Sequence, residues 1–177
     1  MNATPIPMVL LRPYALADCD ALARLLNDPD VTEMTSSVPY PYARSDAEAF
    51  LSDVRNETGR KVSRAITVDG ALVGGIGLDV RPGGGEELGY WVGKPYWGRG
   101  IASAAVAAFL VLLDDLGLSG SIHAQTVASN TASQRVLTKN GFTYQGAGEC
   151  VTPARDTAKK PSKRYVLERA ETSGDVK

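Results

Sequence analysis

Apolar and polar positions along the 177-residue chain change period several times, and each change marks an element. Residues 7–12 are strand-like and end at Pro13. LADCDALARLLND follows, with Leu22, Leu25 and Leu26 at helical spacing. A second helix is predicted from Ser45-Asp46-Ala47-Glu48, a capping-box pattern ahead of Phe50, Leu51 and Val54. Between them, DPDVTEMTSSVPYPYAR is rich in proline and tyrosine and reads as an ordered loop.

Residues 63–68 and 71–79 are β-branched, apolar runs divided by Asp69-Gly70, a hairpin signal. RPGGGE, residues 81–86, is a flexible turn into another strand over 87–92, so the three runs form a meander. Residues 101–116 carry no charge before Asp114 and Asp115 and stop at Gly117; a helix apolar all round is a buried one. The chain then reads strand over 121–127, helix over 131–139 ended by Asn140-Gly141, and strands over 142–145 and 164–167. This order predicts an α/β (α+β) domain, a mixed sheet with helices on its faces. The length fits one domain, placed at residues 1–170, with 171–177 as a frayed tail.

Hydrophobic residues at 44% and charged residues at 22% are those of an ordinary globular chain. Nineteen basic against twenty acidic residues give a net charge of -1, which supplies no overall attraction to nucleic acid or an anionic membrane. Any anion must be bound locally. Two cysteines without a CxxC pair fit a reducing, cytoplasmic compartment, and no metal site is expected. MNATPIPMVLLRPY reads as the approach to the first strand, not as a signal peptide, and no apolar run is long enough to span a bilayer.

The local anion site is YWVGKPYWGRGIASAA, which joins a strand to the apolar helix through Gly98-Arg99-Gly100 and contains no acid. A helix start leaves backbone N–H groups unpaired and carries a partial positive charge; Arg99 adds a full one. Two phosphate-binding designs are excluded: no GxxxxGK[ST] string is present, and Ser103 stands where a GxGxxG fingerprint needs glycine. A glycine turn needed only for packing stays open on these residues alone.

WGRGIA, preceded by EELGYWV and followed by ASNTASQRVLTKNGF, resembles the GNAT superfamily of acyl-CoA-dependent N-acetyltransferases, and within it the RimJ/RimL-like branch that acetylates ribosomal-protein N-termini. The resemblance runs over nearly the whole chain, from LRP near the start to RYVL near the end. It implies a GNAT fold: a mostly antiparallel sheet of six or seven strands flanked by about four helices. It also implies acetyl-CoA as co-substrate, an amine acceptor such as a protein N-terminus, and room for a homodimer.

By the same resemblance, Trp97, Gly98, Arg99, Gly100, Ile101 and Ala102 occupy the pyrophosphate turn; Trp97 stands where the family has Gln or Arg, a change expected to alter packing. Trp91 and Val92 would pair their amides with the pantetheine arm, Asn130 would hydrogen-bond it, and Ser133 would lie near the sulfur. Asn130 and Ser133 also fit plain helix capping. The tyrosine that many members use as general acid is replaced by Leu137, and Ser133 inherits that role as in the ribosomal-protein branch.

An α-amine with a reference pKa near ~8 is about one-tenth neutral at pH 7, so a general base has a small task. Glu87 is the first candidate base and Glu86 the second, both at the start of the LGYWV strand. His123, the single histidine, has no partner in sequence and reads as structural. Tyr14, Tyr40, Tyr42 and Tyr90 are candidates for an acceptor wall or a loop core. Arg155, Lys159, Lys160, Lys163 and Arg164 form either a solvated basic loop or a lip for an anion. Two further functions share the coenzyme site: an acyl-CoA sensor without catalysis, and an acetyltransferase for a small amine or antibiotic.

Overall fold

The computed structural model describes residues 7–57, 60–80, 85–151 and 159–170. Strand β1 (Val9–Arg12) is followed by a 3-10 turn, Leu16–Asp18, and helices α1 (Cys19–Leu26), α2 (Pro29–Thr32) and α3 (Arg44–Arg55). Next come β2 (Val62–Val68), β3 (Ala71–Val80) and β4 (Glu86–Val92), then a 3-10 turn, Lys94–Tyr96, and α4 (Ile101–Asp115). The chain closes with β5 (Ile122–Val127), α5 (Thr131–Lys139), β6 (Thr143–Val151) and β7 (Lys159–Leu167). The strands form one seven-stranded sheet in the order β1-β2-β3-β4-β5-β7-β6, antiparallel except for the β4–β5 pair.

The alternation of side chains along each strand splits the core in two. On one sheet face, α4 sinks Ile101, Ala105, Val106, Phe109 and Leu113 among Ile76, Leu78, Leu88, Val92 and Ile122, and Leu137 of α5 joins them. On the other, Leu22, Leu25 and Leu26 of α1 and Ala47 and Leu51 of α3 pack over Ala65 and Leu72, beside Trp91. The wholly apolar helix of the sequence is nevertheless buried on one face only, with Val111 60% exposed on the other. It ends as expected, with Gly117 at φ +69° and the Leu118 N–H bonded to the Leu113 carbonyl at 2.9 Å.

Four boundaries move. The loop between the first two helices contains one helical turn, α2, whose cap Asp28 accepts from the Asp30 N–H at 2.9 Å. Helix α3 starts at Arg44, so Asp46, not Ser45, acts at the cap, accepting from the Ala43 N–H at 2.7 Å. Strands β6 and β7 run well beyond 142–145 and 164–167, because they pair from Thr143↔Val166 to Val151↔Lys159. Cross-strand hydrogen bonds hold polar and glycine-bearing residues in that ladder, and period-two alternation does not reveal them. The predicted 81–86 turn lies largely, and the 171–177 tail wholly, outside the described residues.

Candidate active site

Strand β4 pairs with β3 along its whole length, from Glu86↔Val80 to Val92↔Gly74. Its parallel pairing with β5 covers only Glu86, Glu87 and Leu88, after which β5 continues against β7. The two strands part at Gly89, and a cleft of about 820 Å³ opens between them. One side is lined by Gly89, Tyr90, Trp91 and Val92, the other by Gln125, Thr126 and Val127.

At the end of β4 the cleft meets the glycine turn. Gly98 and Gly100 both have φ +74°, the left-handed region that side chains with a Cβ enter at a cost. Gly100 caps α4, and its carbonyl accepts from the Ala104 N–H at 3.1 Å. The amides of Ile101, Ala102 and Ser103 precede the first such bond and have no intrahelical partner. All three residues line the cleft, with the Arg99 guanidinium 5.9 Å from the Tyr96 ring centre. No acidic residue occurs in the first turn of α4, so the dipole end and Arg99 are unopposed there. This end of the cleft can receive a polyanionic ligand on backbone donors.

Trp97 does more than pack. Its indole N–H donates to the Val92 carbonyl at 2.6 Å, tying the glycine turn to the end of the parted strand. A side-chain donor folding back five residues leaves no local signal.

Alternation along β4 sorts its side chains. Glu87 and Trp91 point to the α1/α3 face and line the cleft. Glu86 and Tyr90 point to the opposite face. Glu86 is buried, ion-paired with Arg60, and absent from the cleft wall. Of the two carboxylates considered as base, the geometry therefore brings Glu87 to the site and holds Glu86 away from it. His123 is the Cα neighbour of Glu87 across the short parallel pairing but does not line the cleft.

Asn130 and Ser133 do cap α5: the Asn130 Oδ1 accepts from the Ser133 N–H at 3.0 Å. This contact consumes the carboxamide oxygen and leaves its NH2 group without a partner among the described residues, while both residues line the cleft. Capping and ligand binding are compatible here. The Ser133 hydroxyl lies 2.8 Å from the Tyr90 hydroxyl, a pairing that no sequence spacing announces across 43 positions.

The wall on the α1/α3 face carries aromatic side chains. Tyr14 and Tyr42 line it with Phe50, whereas Tyr40 does not reach the cleft. The Tyr14 ring meets Phe50 edge-on at 5.1 Å, and a Cβ at Gly75 would overlap its hydroxyl, so any larger residue there would displace Tyr14. Burial raises the Tyr14 hydroxyl pKa far above its ordinary value and that of Tyr42 to about 12, so both are neutral donors. Of the basic run, Arg155 lies outside the described residues; Lys159, Lys160, Lys163 and Arg164 belong to β7, and none of these four lines the cleft. Lys159 pairs with Glu149 of β6 at 3.0 Å and Lys163 donates to Gln134 of α5 at 2.9 Å, so both are tied to neighbouring elements. No described helix is long and apolar enough to cross a membrane.

One cleft thus joins an anion-receiving helix start to a wall of aromatic side chains. The chain belongs to the GNAT acetyltransferases: residues 8–143 match the family model described as an acetyltransferase (GNAT) domain. It is 27% identical over 145 residues to an uncharacterized N-acetyltransferase, p20, of Bacillus licheniformis, which covers 77% of this chain and 79% of the relative. Among solved structures it is similar to Mycobacterium smegmatis RimJ in complex with CoA-disulfide, at 25% identity and TM-score 0.80 over 93% of this chain and 83% of that one. It also shares its fold with RimL, the ribosomal L7/L12 alpha-N-protein acetyltransferase in complex with coenzyme A, at 18% identity and TM-score 0.77 over 93% and 97% of the two chains.

Proposed function

We propose that the protein transfers the acetyl group of acetyl-CoA to a primary amine, foremost a protein N-terminal α-amine, by direct attack in a ternary complex, and that residues 1–170 form the single domain that does so. The observation that carries this reading is the parting of β4 and β5 at Gly89, which connects the two sheet faces. Donor and acceptor can then approach one thioester carbon from opposite sides. Likeness to RimJ at 25% identity, together with the RimJ/RimL-like motifs, supports the choice of an α-amine.

In this reading the amides of Gly98, Arg99, Gly100, Ile101 and Ala102 hold the pyrophosphate, helped by the α4 dipole and the Arg99 charge. The exposed edge of β4 at Trp91 and Val92 pairs with the pantetheine arm, and the free NH2 group of Asn130 donates to it. Amides of the parted strand also face the thioester carbonyl, where donors aimed at a developing oxyanion stabilise the transition state. Glu87, on the acceptor face, takes the proton that the amine must lose. Ser133 donates a hydrogen bond to the departing thiolate; as a weak acid it stabilises the anion without giving up its proton. Holding the two reactants in line supplies the remaining acceleration.

Initial rates of thiol release from acetyl-CoA, measured with an N-terminally free peptide, spermidine and lysine, test this. The peptide should react fastest. Coenzyme binding without thiol release from any amine would leave an acyl-CoA sensor instead.

A further inference from the structure

Helix α5 carries Leu137 where the resemblance to the GNAT superfamily implies a tyrosine acid, and that side chain is buried in the core. A donor therefore cannot come from this turn of the helix. The contact beside it is the pair Tyr90–Ser133, formed between β4 and the first turn of α5, with both residues on the cleft wall. The Tyr90 hydroxyl is 2.8 Å from the Ser133 Oγ and 3.3 Å from the Ser133 carbonyl oxygen. The Ser133 backbone is fixed independently by its N–H bond to Asn130.

A serine hydroxyl has one proton and two acceptor positions, and a hydroxyl rotates to suit its neighbours. Burial pushes the Tyr90 pKa up to about 12, so this phenol keeps its proton at any physiological pH. Two acceptors lie within reach of its O–H, and Ser133 Oγ is the nearer. When Tyr90 donates there, the Ser133 proton is left for a third group, and the open direction is the cleft.

We propose that Tyr90 is a positioning residue that turns the Ser133 hydroxyl hydrogen toward the coenzyme sulfur, so that a two-hydroxyl chain spanning β4 and α5 replaces the missing helix tyrosine. The proposal rests on the acetyl-CoA reading above. In the transfer, the amine nitrogen forms the C–N bond, the C–S bond breaks, and its electron pair leaves on sulfur. Neither hydroxyl loses its proton: sulfur departs as a thiolate accepting from Ser133, and the excess proton of the amine passes to Glu87 and then to water.

The test uses the full chain, its Tyr90→Phe and Ser133→Ala variants and the double variant. The bound coenzyme A thiol is titrated by thiolate absorbance, with the desulfo-CoA complex subtracted to remove the protein thiols; Arg99 and Arg135 on the cleft wall are unchanged throughout. Each single variant should raise the bound thiol pKa by about one unit, and the double variant no further. With acetyl-CoA and an N-terminally free peptide, Tyr90→Phe should lower kcat about tenfold while KM for acetyl-CoA stays within about twofold. A Tyr90→Phe thiol titration equal to wild type, with Ser133→Ala shifted, overturns the role of Tyr90 alone, as does additivity in the double variant. An unshifted Ser133→Ala removes Ser133 as well. Failure of the wild-type chain to bind coenzyme A overturns the acetyl-CoA reading itself.

Discussion

The Trp97 indole N–H donates to the Val92 carbonyl at 2.6 Å, so the glycine turn is tied to the end of the parted strand. These are the two segments that the proposed function assigns to the pyrophosphate and to the pantetheine arm of one coenzyme. Trp97→Phe keeps an aromatic ring and loses the donor. It should weaken acetyl-CoA binding about fivefold, with little change in melting temperature, since Trp97 is largely exposed and a single hydrogen bond contributes about 1 kcal/mol. Isothermal titration calorimetry on the two proteins reads the difference.

At Gly98 the space beside the backbone is open, so alanine meets no clash, only the strain of φ +74°. Gly98→Ala should cost about 1 kcal/mol of stability, and a shift of the turn should weaken coenzyme binding further. Thermal melts with and without coenzyme A separate the two effects. Gly70, at φ +79° and equally open but far along the β2–β3 hairpin, is the control: Gly70→Ala should lower stability alone.

Glu87 and Glu86 are adjacent in sequence and opposite in orientation. Glu87→Gln should reduce acetylation at pH 7 by up to about tenfold and recover toward wild type as pH rises past the amine's own pKa near ~8. Glu86→Gln leaves Arg60 facing a neutral partner and should lower stability with the pH profile of transfer unchanged. A pH–rate series on both variants checks the assignment; equal loss at every pH for Glu87→Gln would remove it as a base.

Asp18 anchors the entry to α1. Both its oxygens accept from Arg12 at 2.7 Å, and it also accepts from the Ala15 N–H at 2.8 Å. The hydrogen bonds from Arg12 hold its pKa below the ordinary carboxylate range, against the opposing effect of burial. The folded-state pKa is the lower one, so this stabilisation is fully present above pH ~4 and is lost as pH falls through the folded value. Melting temperature should drop steeply below pH 4 in the wild type. In Asp18→Asn it should be lower at pH 7 and fall less on acidification.

Elements whose apolar residues follow one period were legible in the chain itself: α4, the β2–β3 hairpin and the helix start after Gly98-Arg99-Gly100. Helix α5 was legible through Asn130 and its Asn140-Gly141 stop. The full extent of the β6–β7 ladder was not, because residues such as Gly146, Gly148 and Lys163 are held there by pairing between distant segments. The candidate site divides the same way. Backbone-built parts follow from glycines and helix starts, which are local. Tyr90 against Ser133, Trp97 against Val92 and the separation of Glu86 from Glu87 depend on which sheet face a side chain takes, and that needs the register of β4.

Peptide mass spectrometry with isotope-labelled acetyl-CoA tests the central claim most directly. A peptide carrying both a free N-terminus and an internal lysine is incubated with the protein, alongside the same peptide blocked at its N-terminus. One labelled acetyl group on the α-nitrogen of the free peptide, and none on the blocked one, is the predicted result. Label confined to lysine, or no transfer to either peptide while coenzyme A binds, would contradict it.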